Sequence, residues 1–251
     1  MLPNIWIFDS YTIMVFLGII LCFAFLFIVQ KKKKRFTEGE FFSILITACF
    51  SIVGGLIFAV LFQNLYFLIE NKENYHFSLS MTFYGGLIGG VTIFLLLYFI
   101  YYRKKYGPYL LDKILPVASF MICIAHGVGR IGCFLSGCCY GKETTSIIGV
   151  QFVGMDHKVV PINLFEAIFL ISLAITFLIL SLKDKDKYNF QFYLILYGLW
   201  RFIIEFYRGD DRGKFIGELS PSQFWSIIIF IIGIVLFIYE RKRVYGKNKR
   251  S

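Results

Sequence analysis

The sequence is short of charge: only 17% of its 251 residues are charged, whereas 58% are hydrophobic and 20% are aromatic. A soluble domain of this length buries its core inside a polar shell, and this chain has too little polar material to build one. Lipid must therefore solvate much of the surface, which excludes an ordinary soluble domain. The net charge of +10 comes from short basic clusters after apolar runs, so we expect no nucleic-acid partner.

Three further absences narrow the class of protein. The apolar runs show no period-2 alternation, which argues against a β-barrel and favours helices as the structure that satisfies the backbone in lipid. No basic stretch precedes the first apolar run and no small-residue cleavage site follows it, so we expect a first span that is retained. No linker, repeat or low-complexity tract divides the chain, which predicts a single transmembrane domain over residues 1–251.

The sequence is rich instead in long apolar runs, each near the roughly 20 residues that cross ~30 Å of hydrocarbon. Basic clusters follow the first, third, fifth and seventh runs, and the other loops are acidic or neutral. Because cytoplasmic loops carry the excess of Lys and Arg, the N-terminus is predicted outside and the C-terminus in the cytoplasm. The predicted fold is an all-α integral membrane bundle of seven transmembrane helices, at about residues 11–29, 41–62, 81–102, 114–135, 163–182, 190–207 and 223–239.

Ionisable side chains inside these runs indicate function, because they are expensive to place in lipid. Arg130 lies about five residues before the outer end of the fourth run. Arg201, Glu205 and Arg208 follow one another at helical spacing, so we expect them on one face of the sixth helix. A pocket of arginines in the outer half of the bilayer suits an anionic lipid headgroup, since Arg binds phosphate bidentately. Three more candidates begin other runs: Tyr11, Tyr84 and Glu166.

Structural explanations of the same residues stay open. The spacing of Arg201 and Glu205 allows an ion pair within one helix. Arg208, at the end of the sixth run, can extend its side chain to the membrane interface. The glycines of residues 85–90 favour close helix packing, and those of residues 127–132 also allow a ligand to approach the backbone.

Three of the six cysteines lie near the outer end of the fourth run: Cys133, Cys138 and Cys139. No C-x-x-C pair or other zinc-binding spacing is present, so we expect no metal site. A disulfide and a reactive thiol both remain possible outside the cell. His126, four residues before Arg130, is expected to be a packed and hydrogen-bonded side chain rather than a base.

Four segments resemble motifs of the prolipoprotein diacylglyceryl transferase family, in the family's order and over nearly the whole chain. Residues 129–138, Gly-Arg-Ile-Gly-Cys-Phe-Leu-Ser-Gly-Cys, are similar to its Gly-Arg-Leu-Gly-Asn-Phe-Ile-Asn-Gly-Glu. Residues 201–208, Arg-Phe-Ile-Ile-Glu-Phe-Tyr-Arg, resemble its Arg-x-x-x-Glu-Phe-x-Arg. Residues 83–89 and 161–166 resemble its Phe-His-Gly-Gly-Leu-Ile-Gly and Pro-Ser-Gln-Leu-Tyr-Glu.

The resemblance implies a multi-pass transferase of the bacterial cytoplasmic membrane. Its members move the diacylglyceryl group of phosphatidylglycerol onto the lipobox cysteine thiol of a preprolipoprotein, at the signal peptide, and glycerol phosphate leaves. No cofactor is expected. The implied catalytic residues, with the two arginines as a phosphate clamp, are Tyr84, Arg130, Arg201 and Glu205. The implied substrate-binding residues are Tyr11, Gly85, Gly86, Arg130, Glu166 and Arg208.

The sequence departs from the family pattern mainly on the acceptor side. Tyr84 stands where the family has His, and Leu56 where it has Arg. A tyrosine has a reference pKa of about 10 and is a poor base at neutral pH. Two alternatives therefore remain: a phosphatidylglycerol-dependent transferase with a different acceptor, or a non-enzymatic lipid-binding or transport protein. Cys133, Ser136 and Cys138 also differ from the family, which has Asn, Asn and Glu at these positions.

Overall fold

The computed structural model describes residues 4–5, 8–70, 76–79, 82–209 and 219–248, most of them helical. A pair of two-residue antiparallel strands, β1 (Asn4–Ile5) and β2 (Phe8–Asp9), precedes the helices. A π-helical stretch, Tyr98–Tyr102, joins α3 to α4. The helices are α1 (Ser10–Lys33), α2 (Glu38–Glu70), α3 (Phe83–Leu97), α4 (Arg103–Tyr106), α5 (Tyr109–Leu135), α6 (Ile162–Leu182), α7 (Asn189–Glu205) and α8 (Pro221–Asn248).

Six helical segments of the described chain are long and apolar enough to cross a membrane, which confirms an all-helical membrane protein. The remaining long helix, α7, has 17 residues. At about 1.5 Å per residue it is shorter than the ~30 Å of hydrocarbon, which is why it falls outside this group. The six segments are Ser10–Lys33, Glu38–Ile69, Gly85–Tyr106, Tyr109–Leu135, Ile162–Leu182 and Pro221–Arg243.

The helices follow the predicted runs in order, but most extend beyond them. At the basic ends the helix continues into charged sequence, as in Lys31 to Lys33 of α1. Cations at a helix C-terminus stabilise the helix through its dipole, so the chain stays helical past the apolar run. The sixth run is the exception, because α7 ends at Glu205, two residues before the predicted end of the run.

The chain divides into two compact units: residues 1–33 with 114–251 form the first, and residues 34–113 form the second. In the second unit α2 and α3 pack closely through glycines. A Cβ added at Gly85 would lie 2.7 Å from the Phe58 carbonyl oxygen, and one at Gly89 would lie 2.4 Å from Phe58 Cβ. A Cβ at Gly55 would lie 3.0 Å from the Gly86 carbonyl oxygen. The packing explanation of the glycines in residues 85–90 is therefore supported.

The second unit also shows how α2 begins. The Glu40 backbone N–H donates to Thr37 Oγ1 at 3.3 Å, and the Thr37 N–H donates to Glu40 Oε2 at 2.8 Å. This reciprocal pair is a capping box, which satisfies two backbone donors at the start of a helix. Lys113 Nζ donates to both oxygens of the same carboxylate, at 2.9 and 2.8 Å. Glu40 thus fixes the first turn of α2 and pairs with the start of α5.

In the first unit, small residues again bring helices close together. A Cβ added at Gly18 of α1 would lie 3.3 Å from the Cα of Ala125 on α5. One at Gly198 of α7 would lie 2.9 Å from the Ser226 carbonyl oxygen on α8. Close backbone approach through small residues is typical of helix packing in membranes, where lipid provides no hydrophobic driving force between helices. These contacts fix the helices that carry the predicted site.

Candidate functional site

Arg130 and Glu166 form an ion pair between α5 and α6. Arg130 Nε lies 2.9 Å from Glu166 Oε2, and only 2% of the glutamate side chain is exposed. The Nε–H is not aligned for a hydrogen bond, so the contact is one of charges. Tyr197 on α7 donates its hydroxyl proton to Glu166 Oε1 at 3.2 Å. The fold thus gives Arg130 a buried counter-ion and orients that counter-ion from a third helix.

His126 lies beside this pair. Its Nε2 is 3.7 Å from Glu166 Oε1, beyond hydrogen-bond distance. Its ring contacts the Tyr197 ring edge-on, with centroids 5.4 Å apart. The imidazole therefore packs against the group that orients Glu166, in agreement with the predicted packing role.

A second ion pair lies at the end of α7. Arg201 Nη2 is 2.8 Å from Glu205 Oε2, one helical turn away. The same nitrogen donates to Ser222 Oγ at 3.0 Å, and Ser220 Oγ donates to Glu205 Oε1 at 2.9 Å. Both serines stand at the start of α8, whose close packing on α7 brings them to the pair. The predicted pairing of Arg201 with Glu205 is present and is supported from the neighbouring helix.

Two nitrogens of adjacent residues on α7 are buried without a partner among the described residues: Arg201 Nη1 and Trp200 Nε1. The Trp200 ring stacks on Phe169 of α6, with centroids 4.5 Å apart and planes within 4°. A buried N–H that makes no hydrogen bond is unfavourable, and more so when it carries charge. The Arg201 donor is therefore available to an acceptor outside the described residues.

The two ion pairs belong to one site. Both Arg130 and Arg201 lie near enough to Glu166 for their charges to interact with it, and the same holds for Tyr197 and His126. The two guanidinium groups therefore approach the same polar centre from α5 and α7. We call Arg130, Glu166, Arg201 and Glu205 the arginine–carboxylate cluster.

Arg208 lies past the end of α7, so the prediction that it shares a helix face with Arg201 and Glu205 is wrong. The helix ends at Glu205, and the Arg208 N–H donates to the Glu205 carbonyl at 3.2 Å in a turn. Its backbone pairs with Gly141 in the loop after α5. Only 5% of Arg208 is exposed, so the side chain is buried rather than extended to the interface.

The loop between α5 and α6 is held against this turn by backbone hydrogen bonds. The Lys142 N–H donates to the Tyr207 carbonyl at 2.8 Å. The Gly141 N–H donates to the Val160 carbonyl at 2.7 Å, and the Val160 N–H donates to Lys142 at 2.9 Å. We call this set of hydrogen bonds the loop tether, and it fixes the loop beside the end of α7.

Tyr11 and Gly129 are two further predicted contacts on the first unit. Tyr11 is in the first turn of α1, 42% exposed, and near enough to Arg130 for electrostatic interaction. A Cβ added at Gly132 would lie 3.2 Å from the Tyr11 Cα, so this glycine allows α1 to pack on α5. Among the described residues, a Cβ added at Gly129 would meet no atom within 4 Å. The described part of the chain therefore leaves space beside this glycine, next to Arg130 in the sequence.

The predicted site residues fall in both compact units. Tyr84 is in the first turn of α3 in the second unit, and its side chain lies outside the described residues. Gly85 and Gly86 follow it and pack against α2. Their predicted roles stay predictions. The residues that the structure brings into the first unit are Tyr11, Arg130, Glu166, Arg201, Glu205 and Arg208.

The three outer cysteines converge at the end of α5. The Cys138 N–H donates to the Cys133 carbonyl at 3.0 Å, and the Gly137 N–H donates to the Phe134 carbonyl at 3.2 Å. With Gly137 at φ +71°, this is a Schellman motif, which folds the chain back over the last helical turn. The three Sγ atoms lie within 4.8 Å of one another, and none of the cysteines is in a disulfide.

The charge state of this thiol group is set by its neighbours. Hydrogen bonds from the Cys133 and Cys138 thiols lower the pKa of Cys139, and the nearby charges of Arg130 and Arg208 lower it further. Arg130 and Arg208 are therefore close enough to Cys139 for their positive charges to act on its thiol.

Sequence reasoning missed three residues of the site: Tyr197, Ser220 and Ser222. Tyr197 precedes Arg201 by one helical turn, so helical spacing offered a signal for it. The two serines gave no signal, because their role depends on how α8 begins beside α7.

The fold and the cluster define a multi-span membrane protein with buried arginines and carboxylates from three helices. Such groups within membrane helices are typical of sites that bind a charged ligand. The profile of the prolipoprotein diacylglyceryl transferase family matches residues 4–239. The chain belongs to this family.

Named relatives have the same extent as this chain. It is 36% identical over 245 residues to the phosphatidylglycerol–prolipoprotein diacylglyceryl transferase of Clostridium tetani, covering 93% of this chain and 94% of the relative. It is 34% identical over 249 residues to transferase 2 of that name from Clostridium perfringens, with 96% and 93% covered. The enzyme of that name from Dehalococcoides mccartyi (strain ATCC BAA-2266 / KCTC 15142 / 195) is 31% identical over 255 residues, with 96% and 92% covered.

Proposed function

We propose that this protein transfers the diacylglyceryl group of phosphatidylglycerol to the lipobox cysteine thiol of prolipoproteins. The thiol sulfur attacks the glyceryl carbon that bears the phosphate. A C–S bond forms, the C–O bond to phosphate breaks, and glycerol phosphate leaves. The thiol proton passes to the released phosphate or to solvent.

The observation that carries this proposal is the state of Arg201. One terminal nitrogen is occupied by Glu205 and Ser222, while Nη1 is buried and has no partner among the described residues. A guanidinium held on one edge, with a donor left on the other, is preorganised for an anionic oxygen. We assign Arg201 and Arg130 to the phosphate, and Glu205 to the orientation of Arg201.

The arginine–carboxylate cluster stabilises the negative charge that develops on the departing phosphate. Preorganised cations are worth most in a water-poor site, since solvent does not screen them and they need no reorganisation during the reaction. Glu166 and Glu205 hold the arginines in place without neutralising every donor. Arg208, buried beyond α7, and Tyr11, near Arg130, complete the proposed headgroup site.

We further propose a seven-span topology, a single domain over residues 1–251, and a place in the bacterial cytoplasmic membrane. The helix α7 would supply the seventh span, extended by the turn that follows it. Basic residues end α1 and α4 and follow α6, whereas Arg130, Glu166 and Glu205 all lie near the opposite helix ends. Positive residues mark the cytoplasm, which supports a site in the outer half of the bilayer, an N-terminus outside and a C-terminus inside.

A transferase with a different acceptor is the second candidate. It is favoured by Tyr84 in place of the family's histidine, since a phenol is protonated at neutral pH and donates more readily than it accepts a proton. The differences at Cys133, Ser136 and Cys138 also belong to the departures on the acceptor side. The lipid donor is the same in both candidates.

The proposal is tested by complementation and by transfer in vitro. Expression in a bacterium depleted of its own diacylglyceryl transferase is expected to restore growth, and Arg130→Ala is expected to remove the rescue. Arg103→Ala, an exposed arginine of α4, is the matched control and should rescue. With phosphatidylglycerol and a lipobox peptide, the thioether peptide and glycerol phosphate should appear together. Binding of phosphatidylglycerol without transfer to the peptide favours the second candidate, and no binding contradicts both.

A further inference from the structure

The thiol cluster at the end of α5 is built by backbone geometry rather than by sequence spacing. The Schellman motif returns Cys138 to Cys133, at the positions that usually make a hydrophobic contact in this motif. Cys139 follows at φ +56°, a conformation that a non-glycine residue adopts rarely and keeps only where its surroundings impose it. Asn163 of α6 donates to the Cys138 carbonyl at 2.8 Å and holds this turn in place.

The separation of the three sulfurs matches the demands of a soft metal ion. A Zn–S bond is about 2.3 Å, so sulfurs on one tetrahedral ion lie about 3.8 Å apart. The three Sγ atoms are already within 4.8 Å of one another, and rotation of the cysteine side chains can close the difference. Thiolates select thiophilic ions of filled d shell, such as Zn²⁺ or Cu⁺, over hard cations. Among the described residues no fourth His, Cys, Asp or Glu joins the group, which leaves a position for solvent.

The surroundings also match in charge. Three thiolates with one divalent ion carry a net charge of −1, which is unfavourable to bury without a compensating cation. Arg130 and Arg208 lie near enough to Cys139 for their charges to act on it. The positive charges of these two arginines therefore offset the net negative charge of a metal ion bound by three thiolates.

We propose that Cys133, Cys138 and Cys139 bind one thiophilic metal ion through three thiolates, with solvent as the fourth ligand. This inference departs from the sequence-based expectation of no metal, which rested on the absence of C-x-x-C spacing. It does not require the proposed transferase activity, since the three thiols and the two nearby arginines are present whether or not transfer occurs. The ion would lock the turn between α5 and the loop that follows.

Metal binding to the purified full-length protein in detergent tests the proposal. The reduced, metal-free protein is titrated with Cd²⁺ as the probe, and the cadmium–thiolate charge-transfer absorption is followed. We expect one ion per chain and protection of the three thiols from alkylation. Cu⁺ should displace Cd²⁺, because it binds thiolates more tightly, whereas Zn²⁺ should compete only in excess over the softer Cd²⁺.

Serine substitutions separate this site from other thiols. Loss of an outer-shell partner weakens metal sites by about 10–100-fold, so loss of a direct ligand should weaken binding by at least about 100-fold. We expect that effect for Cys138→Ser, which replaces an exposed side chain and should leave the fold intact. Cys49→Ser, at an exposed cysteine of α2, is the control and should bind as the parent does. Equal binding by Cys138→Ser, or a disulfide among the three cysteines in the protein as isolated, overturns the proposal.

Discussion

Arg130 of α5 and Glu166 of α6 face each other across 2.9 Å, with Glu166 almost wholly removed from solvent. Two buried charges gain little net stability from pairing, because desolvation offsets most of the attraction. What the pair supplies is position: the guanidinium is held at one place by a carboxylate that Tyr197 orients in turn. A fixed cation needs no rearrangement when a phosphate arrives, which is the requirement for electrostatic catalysis.

Glu166→Gln is expected to destabilise the protein and to reduce transfer. The substitution keeps the shape but leaves the partly buried Arg130 without its counter-ion, and breaking a fully buried pair from one side costs about 3–5 kcal/mol, which is the upper limit here. The change is measured as a lower thermal unfolding midpoint in detergent. Glu143→Gln, at an exposed loop residue, is the control and should stay within about 0.5 kcal/mol of the parent. An unchanged midpoint for Glu166→Gln would show that the pair is not formed.

Arg201→Lys is expected to remove most of the transfer activity while the protein still folds. Lysine keeps the charge but lacks the fork that contacts Glu205 and Ser222 on one side and leaves a donor on the other. We expect a loss of about 10²–10³ in kcat, the scale for removing one preorganised donor. Arg243→Lys, in the pair with Glu240 at the other end of α8, is the matched control. Near-parental turnover of the Arg201 variant would exclude the proposed clamp.

Gly129→Ala is expected to preserve the fold and weaken lipid binding. The added methyl group meets no atom of the described residues within 4 Å, so stability should change little. Beside Arg130, the same methyl group should stand where the lipid headgroup approaches the helix. Unfolding midpoint and phosphatidylglycerol binding are measured on the same samples.

Gly132→Ala supplies the contrast on the same helix. Its methyl group would lie 3.2 Å from the Tyr11 Cα, so α1 must shift and the unfolding midpoint should fall. A stable Gly132 variant, or a Gly129 variant with parental lipid binding, would contradict this assignment of the two faces.

Thr37→Ala is expected to lower the stability of the second unit by about 1 kcal/mol. The substitution removes the hydroxyl that accepts from the Glu40 N–H at the start of α2, and loss of such a cap has this typical cost. Thr145→Ala, at an exposed threonine of the loop after α5, is the control. Hydrogen exchange at the first turn of α2 reports the effect locally, and equal protection in the variant and the parent would argue that the cap is dispensable.

The membrane class and the order of the helices could be predicted because apolar length and basic clusters are local properties. The pairing of Arg201 with Glu205 could also be predicted from the sequence, because both residues lie on one helix. The partner of Arg130 was not, because Glu166 is distant in sequence and reaches it only through the packing of α5 and α6.

Two features of the site were beyond sequence-based reasoning for the same physical reason. Arg208 was placed on a helical face, but α7 ends at Glu205 and the chain turns. The outer cysteines were judged by their spacing, but the turn after α5 brings their sulfurs together. Both depend on where a helix ends, and helix ends are decided by backbone hydrogen bonds that periodicity does not reveal.

The loop tether consists of backbone hydrogen bonds that join Lys142 to Tyr207, Gly141 to Val160, and Val160 to Lys142. Backbone hydrogen bonds do not depend on the identity of the side chain, except where the backbone requires a glycine. Mutation can therefore alter the exposed side chains of the loop over evolutionary time without detaching it from the end of α7. The position of the loop backbone is thus decoupled from the identity of its exposed side chains.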